Sequence, residues 1–156
     1  MDVTVAAARP ELDERLSAEL DTVNAARTAP APAAEELTVA IADEGELVAG
    51  ISGWTWAEAA GISMTWVSER LRGTGVGTRL LAEFEAEAIR RGAQRVFVTS
   101  FTFQAPGFYA RHGYAEIFRW EGVPTAEHSD VHFRKDLVPG RPDGRAHDHS
   151  VTARCR

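Results

Sequence analysis

Cysteine is almost absent. Cys155, beside the C-terminus, is the only one, so no internal disulfide can form. Lysine is as scarce: Lys135 stands alone in 156 residues. No glycine is therefore followed by lysine, which excludes a Walker-type phosphate loop. No run of 18 apolar residues exists, so a membrane-spanning helix is not expected. Met1 to Pro10 lacks a basic start followed by an apolar block, so no signal peptide is read there and the cytoplasm is the expected compartment. Positive charge is in deficit, with Lys+Arg 17 against Asp+Glu 23 and a net charge of −6. That balance argues against nucleic acid or an anionic membrane as partner and suits a cationic substrate.

What is present is an ordinary apolar fraction of 44%. It is enough for one self-sufficient core, expected over residues 1–138. Residues 139–156 are Gly, Pro, Arg, His and Asp with almost nothing apolar, and read as a disordered tail. His147 and His149 there have metal-like spacing but no third ligand, so no metal is expected.

Val3, Val5 and Ala7 give a weak strand signal. Pro10 can start a helix with Glu11, Asp13 and Glu14 in its first turn; Leu12, Leu16, Leu20 and Val23 stripe it to about Ala26. Thr28 to Glu36, with Pro30 and Pro32, reads as a connection that could act as a lid. Three strands follow, Leu37–Ala42, Leu47–Trp56 and Ile62–Val67, linked by turns at 43–46 and Glu58–Gly61. Short links make them an antiparallel meander. A helix from Thr78 to Arg91, closed by Gly92, leads to a short buried strand, Arg95–Ser100. The strand–helix–strand unit implies one parallel pair with a right-handed crossover. A short helix, Gln104–His112, with Thr102 able to cap it, and the strands Tyr114–Trp120 and Val131–Leu137 complete an α+β pattern.

Between the third strand and the long helix lies Arg70 to Thr78, R-L-R-G-T-G-V-G-T. Strand, glycine loop and helix together make an anion site from backbone N–H groups and a helix N-terminus. The dinucleotide fingerprint G-x-G-x-x-G fails because position 78 is Thr. What fits is R-x-x-G-x-G across Arg72, Gly75 and Gly77.

A second motif lies downstream, T-F-Q-A-P-G-F-Y-A-R-H-G-Y over Thr102 to Tyr114. Together the two resemble the acetyl-CoA diphosphate loop and the N-x-x-A-x-x-F-Y-x-K-x-G-F segment of the GNAT-superfamily N-acetyltransferases. The likeness covers about Leu37 to Leu137 and is strongest to a bacterial subgroup with F-Q-A-x-x-F-Y. It implies a mixed, mostly antiparallel sheet, splayed at a central parallel pair, with helices on both faces. It implies acetyl-CoA as cofactor, an amine as acceptor, and dimers as a frequent family state.

The resemblance also implies roles. Backbone N–H groups of Leu71, Arg72, Gly73, Thr74, Gly75, Val76, Gly77 and Thr78 would hold the diphosphate, with the Arg72 side chain adding a contact. The strand edge at Trp66 and Val67 would pair with the pantetheine arm, and the Val67 N–H would polarise the thioester carbonyl. Tyr109 matches the tyrosine that protonates the leaving thiolate. Thr102 replaces the usual Asn at the cofactor arm. No carboxylate lies on Ile62–Val67; Glu69 is the base candidate through water, with Glu58, His128 and His132 as other titratable groups. Trp54, Trp56, Phe101 and His128 would wall the acceptor pocket, and aromatics suit an organic ammonium. Three readings remain open from sequence: an acetyltransferase of a small primary amine, one of a protein or peptide amine, and a non-catalytic acyl-CoA-binding module.

Overall fold

A computed structural model describes residues 9–28 and 33–137. The weak strand signal at Val3–Ala7, Pro30 and Pro32 of the connection, and the tail from 138 with His147, His149 and Cys155 lie outside the described residues. The described elements are α1 (Pro10–Thr28), β1 (Glu35–Asp43), β2 (Glu46–Trp56), β3 (Ala59–Val67), α2 (Val76–Arg90), β4 (Arg95–Phe101), α3 (Pro106–Arg111), β5 (Ala115–Glu121) and β6 (Ser129–Asp136). A single 3-10 turn, Glu69–Leu71, precedes α2.

The strands form one six-stranded sheet in the order β1-β2-β3-β4-β6-β5. All neighbours are antiparallel except β3 and β4, the one parallel pair, as the strand–helix–strand reading requires. That pair runs only from Ala59↔Arg95 to Ile62↔Val98. The register of β3 on β2 shifts at the same point, leaving Ser63 unpaired between Ile62 and Met64. A bulge bends and twists its strand. Beyond it β3 stays with β2 and parts from β4, so the sheet opens into a cleft between Met64–Val67 and Thr99–Phe101.

Alternation decides the two faces. Leu37, Ala49, Ile51, Ile62, Val96, Val98, Val131 and Phe133 point to one face and are buried. Leu80, Leu81, Phe84 and Ala88 of α2 cover it, spaced to make one helical stripe. Each buried Val, Leu, Ile or Phe among them contributes about 1.5–3 kcal/mol by leaving water. Tyr109 and Tyr114 close the same core from α3 and its exit. At its edge Glu85 of α2 accepts from the Tyr114 hydroxyl (3.0 Å) and from Lys135 Nζ (2.6 Å), and the Lys135 ammonium also lies over the Tyr114 ring.

The opposite face carries Trp54, Met64, Trp66 and Phe97, all at least one-third exposed. The C-terminal end of α1 and Ala33–Ala34 come near it, and Asn24 there is half-buried close to Trp54 and Trp56. The stripe Leu12, Leu16, Leu20 and Val23 is exposed, uncovered by any described residue.

Several expected boundaries move, four of them for a reason the structure shows. The turn placed at Glu58–Gly61 is only Ala57–Glu58, because Ala59 to Ile62 already pair with β4. Helix α2 starts at Val76, two residues early, because Gly75 in the left-handed region turns the chain into it. Strand β4 extends to Phe101 through its pairing with Asp130. Helix α3 spans Pro106–Arg111, and Thr102 does not cap it.

Candidate functional site

The glycine loop divides into two parts. The 3-10 turn consumes several N–H groups: Leu71 donates to Ser68 O, Arg72 to Glu69 O and Thr74 to Leu71 O. The Thr74 hydroxyl also turns back to Leu71 O at 2.7 Å. No backbone partner among the described residues takes the N–H groups of Gly73, Gly75, Val76, Gly77 or Thr78. These five amides lie in and just before the first turn of α2, where the helix dipole adds positive potential. Gly73 and Gly75 have φ of 76° and 89°, and a Cβ on either would meet nothing within 4 Å. The cradle is therefore open, and its glycines serve backbone direction. Gly77 has a different reason: a Cβ there would press on the Phe108 ring at 3.3 Å, so it lets α3 approach α2.

The strand leading to the loop has a free edge. Ser68 N–H donates to Val48 O, and hydrogen-bonded pairs alternate along an antiparallel ladder. With Val67 opposite Ala49 and Trp66 opposite Gly50, the Trp66 N–H turns toward β2 while those of Thr65 and Val67 turn toward the cleft. Trp66, expected on the open edge, thus spends its backbone on the sheet, and Thr65 takes its place. The Val67 carbonyl on that edge accepts from Arg72 Nε at 3.3 Å, so Arg72 is engaged with the mouth of the cleft.

Tyr109 enters from α3. It is buried, edge-on to Phe108 and Tyr114, and its hydroxyl donates to Thr65 Oγ1 at 3.1 Å. Burial raises its pKa above the ordinary value of 10; the Thr65 bond offsets part of that. The phenol is held protonated at neutral pH, a proton store aimed at the strand edge that carries free N–H groups.

On the far side of the cleft, Thr102 bridges to the β5–β6 connection. Its hydroxyl accepts from Ser129 N–H at 3.0 Å and lies 3.5 Å from His128 Nδ1. The Phe103 ring stacks on Phe101 and meets the edge of His128. Phe101, Phe103 and His128 thus form one group, with Thr102 its hinge. Asp130 Oδ2 and His132 Nε2 lie 3.1 Å apart nearby on β6. Trp54 and Trp56 line a cavity of about 330 Å³ with Asp21, Asn24 and Ala25 of α1. Glu69 is exposed and opens the 3-10 turn that follows β3. Glu58 sits in the turn before β3.

Two residues of this region escaped sequence reasoning. Thr65 lies two positions before Val67, so the strand period alone puts it on the same edge. His112 hydrogen-bonds Thr78 in the phosphate cradle at 2.9 Å, a contact with no signal in sequence.

A glycine cradle at a helix start, a bulged strand with an unpaired edge, and a buried tyrosine over that edge are now in one cleft. The model of the acetyltransferase (GNAT) family matches residues 6–114. This chain belongs to that family. Membership brings acetyl-CoA as the cofactor, and the open cradle and free edge fit a diphosphate and an extended amide arm. A blasticidin-S acetyltransferase from Streptomyces morookaense is 41% identical over 81 residues, 49% of this chain and 57% of that protein. The chain spans little more than half the length of the curated relatives it matches. An acetyltransferase crystal structure from Bacillus cereus ATCC 14579 superposes with a TM-score of 0.72 at 28% identity, covering 86% of this chain and 97% of that one. An aminoglycoside 6'-N-acetyltransferase complexed with coenzyme A shares the fold at TM-score 0.60 and 21% identity, covering 86% and 95%.

Proposed function

We propose that this protein transfers the acetyl group of acetyl-CoA to the primary amine of a small organic cation, by direct attack in a ternary complex. The observation that carries this is the Tyr109 hydroxyl, held protonated 3.1 Å from Thr65 on the open edge of β3. A binding module has no use for a proton donor at that point.

Acetyl-CoA supplies an acyl thioester already activated toward amines. The N–H groups of Gly73, Gly75, Val76, Gly77 and Thr78 hold the diphosphate, and Arg72 stands at the mouth of the cleft beside them. The Val67 N–H, with Thr65 beside it, is offered to the thioester carbonyl. Tyr109 is the general acid for the departing sulfur. Thr102 acts indirectly, by fixing His128 and the β5–β6 connection over the cleft.

The acceptor class rests on the exposed face. Asp21 beside Trp54 and Trp56 gives one negative charge and two aromatic walls, the combination that binds an ammonium. Phe101, Phe103 and His128 form a second wall. Identity to a blasticidin-S acetyltransferase supports an amine-bearing antibiotic as the first class to test. Among the described residues no carboxylate hydrogen-bonds the Tyr109 hydroxyl, so the amine loses its proton through water, with Glu69 of the turn after β3 as the base candidate.

The test is an amine panel with detection of released CoA thiol, containing aminonucleoside and aminoglycoside antibiotics, polyamines, amino acids and N-terminal peptides. Turnover of a small cationic amine, lost in Asp21→Asn or Trp54→Ala with the acetyl-CoA KM retained, is the expected result. Turnover confined to peptides overturns the acceptor class; acetyl-CoA binding without turnover of any amine overturns catalysis.

A further inference from the structure

His112 bonds at both ring nitrogens. Nδ1 lies 2.7 Å from the Phe108 carbonyl oxygen, and Nε2 lies 2.9 Å from Thr78 Oγ1. A carbonyl only accepts, so Nδ1 carries hydrogen. In the neutral ring Nε2 then has only its lone pair, and the Thr78 hydroxyl must donate to it. Thr78 belongs to the first turn of α2, and its N–H is one of the five free amides of the cradle. With its hydrogen committed to His112, the hydroxyl presents only oxygen lone pairs to that cradle, and these repel a diphosphate.

Protonation of Nε2 reverses the bond. The imidazolium donates to Thr78 Oγ1, and the hydroxyl hydrogen turns outward to a phosphate oxygen. Both ring N–H groups stay paired, to Phe108 and Thr78. One positive charge then sits behind the hydroxyl, and charge-assisted bonds of this kind are about twice as strong as neutral ones.

We infer that His112 is a positioning residue that couples diphosphate binding to the uptake of one proton, with the Thr78 hydroxyl as the relay. The inference rests on the acetyl-CoA reading of the cradle. The balance is simple: one proton leaves solvent for Nε2, one hydroxyl hydrogen rotates, and no bond to carbon changes. Other charges around His112 are few. Arg79 and Glu83 follow Thr78 on α2. Arg111 adjoins His112 on α3 with its guanidinium back along Gly107. Lys135, beyond Gly113, is already paired with Glu85. Histidine is the side chain suited to such a step in the neutral range.

The experiment is calorimetric titration of the full chain with 3'-dephospho-CoA in buffers of different ionisation enthalpy. This probe keeps the diphosphate and lacks the 3'-monophosphate, which would titrate on its own. The wild type is expected to take up close to one proton per molecule bound at alkaline pH, its affinity falling about tenfold per pH unit there. His112→Asn and Thr78→Val should both lose the uptake and the pH slope, while Thr78→Ser keeps them. Thr78 is exposed, so the second variant tests the relay without disturbing the core. Binding by the wild type without proton uptake, or uptake retained in either loss variant, overturns the coupling and leaves the cofactor reading intact. Absence of binding by both CoA and 3'-dephospho-CoA overturns the cofactor reading and the coupling with it.

Discussion

Gly53 on β2 and Gly61 on β3 lie so close that a Cβ on Gly53 would overlap the Gly61 carbonyl oxygen. The overlap is with backbone, which cannot step aside. A Cβ on Gly61 would instead run into the Trp54 indole, a side chain 37% exposed, which can shift where backbone cannot. Gly53→Ala should cost about 3 kcal/mol and Gly61→Ala about 1 kcal/mol, read from urea midpoints at unchanged slope. Equal costs would mean that the strand junction is softer than described.

The Tyr109–Thr65 pair predicts a kinetic split. Tyr109→Phe keeps the ring in its aromatic cluster and removes only the hydroxyl, with its bond to Thr65. With an accepted amine, kcat should fall about 100-fold or more, with the acetyl-CoA KM little changed. Thr65→Val should cost less, since it frees the phenol without deleting it. An unchanged kcat in Tyr109→Phe removes this tyrosine from the chemistry.

Gly75→Ala isolates backbone strain. A Cβ there meets nothing within 4 Å, yet φ is 89°. The substitution should lower stability by about 1–2 kcal/mol and raise the acetyl-CoA KM, because the loop relaxes away from the cradle shape. Gly77→Ala should raise KM by a different route, displacing Phe108, and its cost should shrink when Phe108 is made Leu. Stability curves together with KM for both substrates distinguish the two.

Alkaline pH should weaken the fold. Burial raises the pKa of Tyr109, and burial together with the Glu85 carboxylate raises that of Tyr114 further. Unfolded tyrosine releases its proton near pH ~10, while the folded pair holds on. Between those limits the folded state binds more protons, so stability is complete below about pH 10 and declines as pH rises above it. Thermal melts from pH 8 to 11 should show this slope, and Tyr114→Phe should flatten it.

Much of this was legible in the chain. The alternation of Leu37, Val39 and Ile41, the Leu80–Ala88 stripe and the single crossover fixed the strand order around the parallel pair. The spacing of Arg72, Gly75 and Gly77 marked the loop that opens α2. Spacing could not say which amides were free, because the 3-10 turn that occupies Leu71, Arg72 and Thr74 is a matter of three-dimensional closure. Nor could it find the bulge at Ser63, since a skipped residue is visible only against its partner strand. Thr102 looked like a cap because Thr often is one; its hydroxyl instead serves Ser129, 27 positions on. The stripe Leu12–Val23 marks a helix by its period, and no described residue covers it.

The pairing of Lys135 with Glu85 has a chemical consequence. A protein that holds an activated acyl thioester is exposed to its own side-chain amines, and lysine is the usual victim. Here there is one lysine, and its nitrogen is tied to a carboxylate at 2.6 Å beneath a tyrosine ring. Arginine carries every other basic position of the chain, and a guanidinium does not capture acyl groups under these conditions. The scaffold thus leaves its acyl donor no side-chain amine of its own to spend itself on.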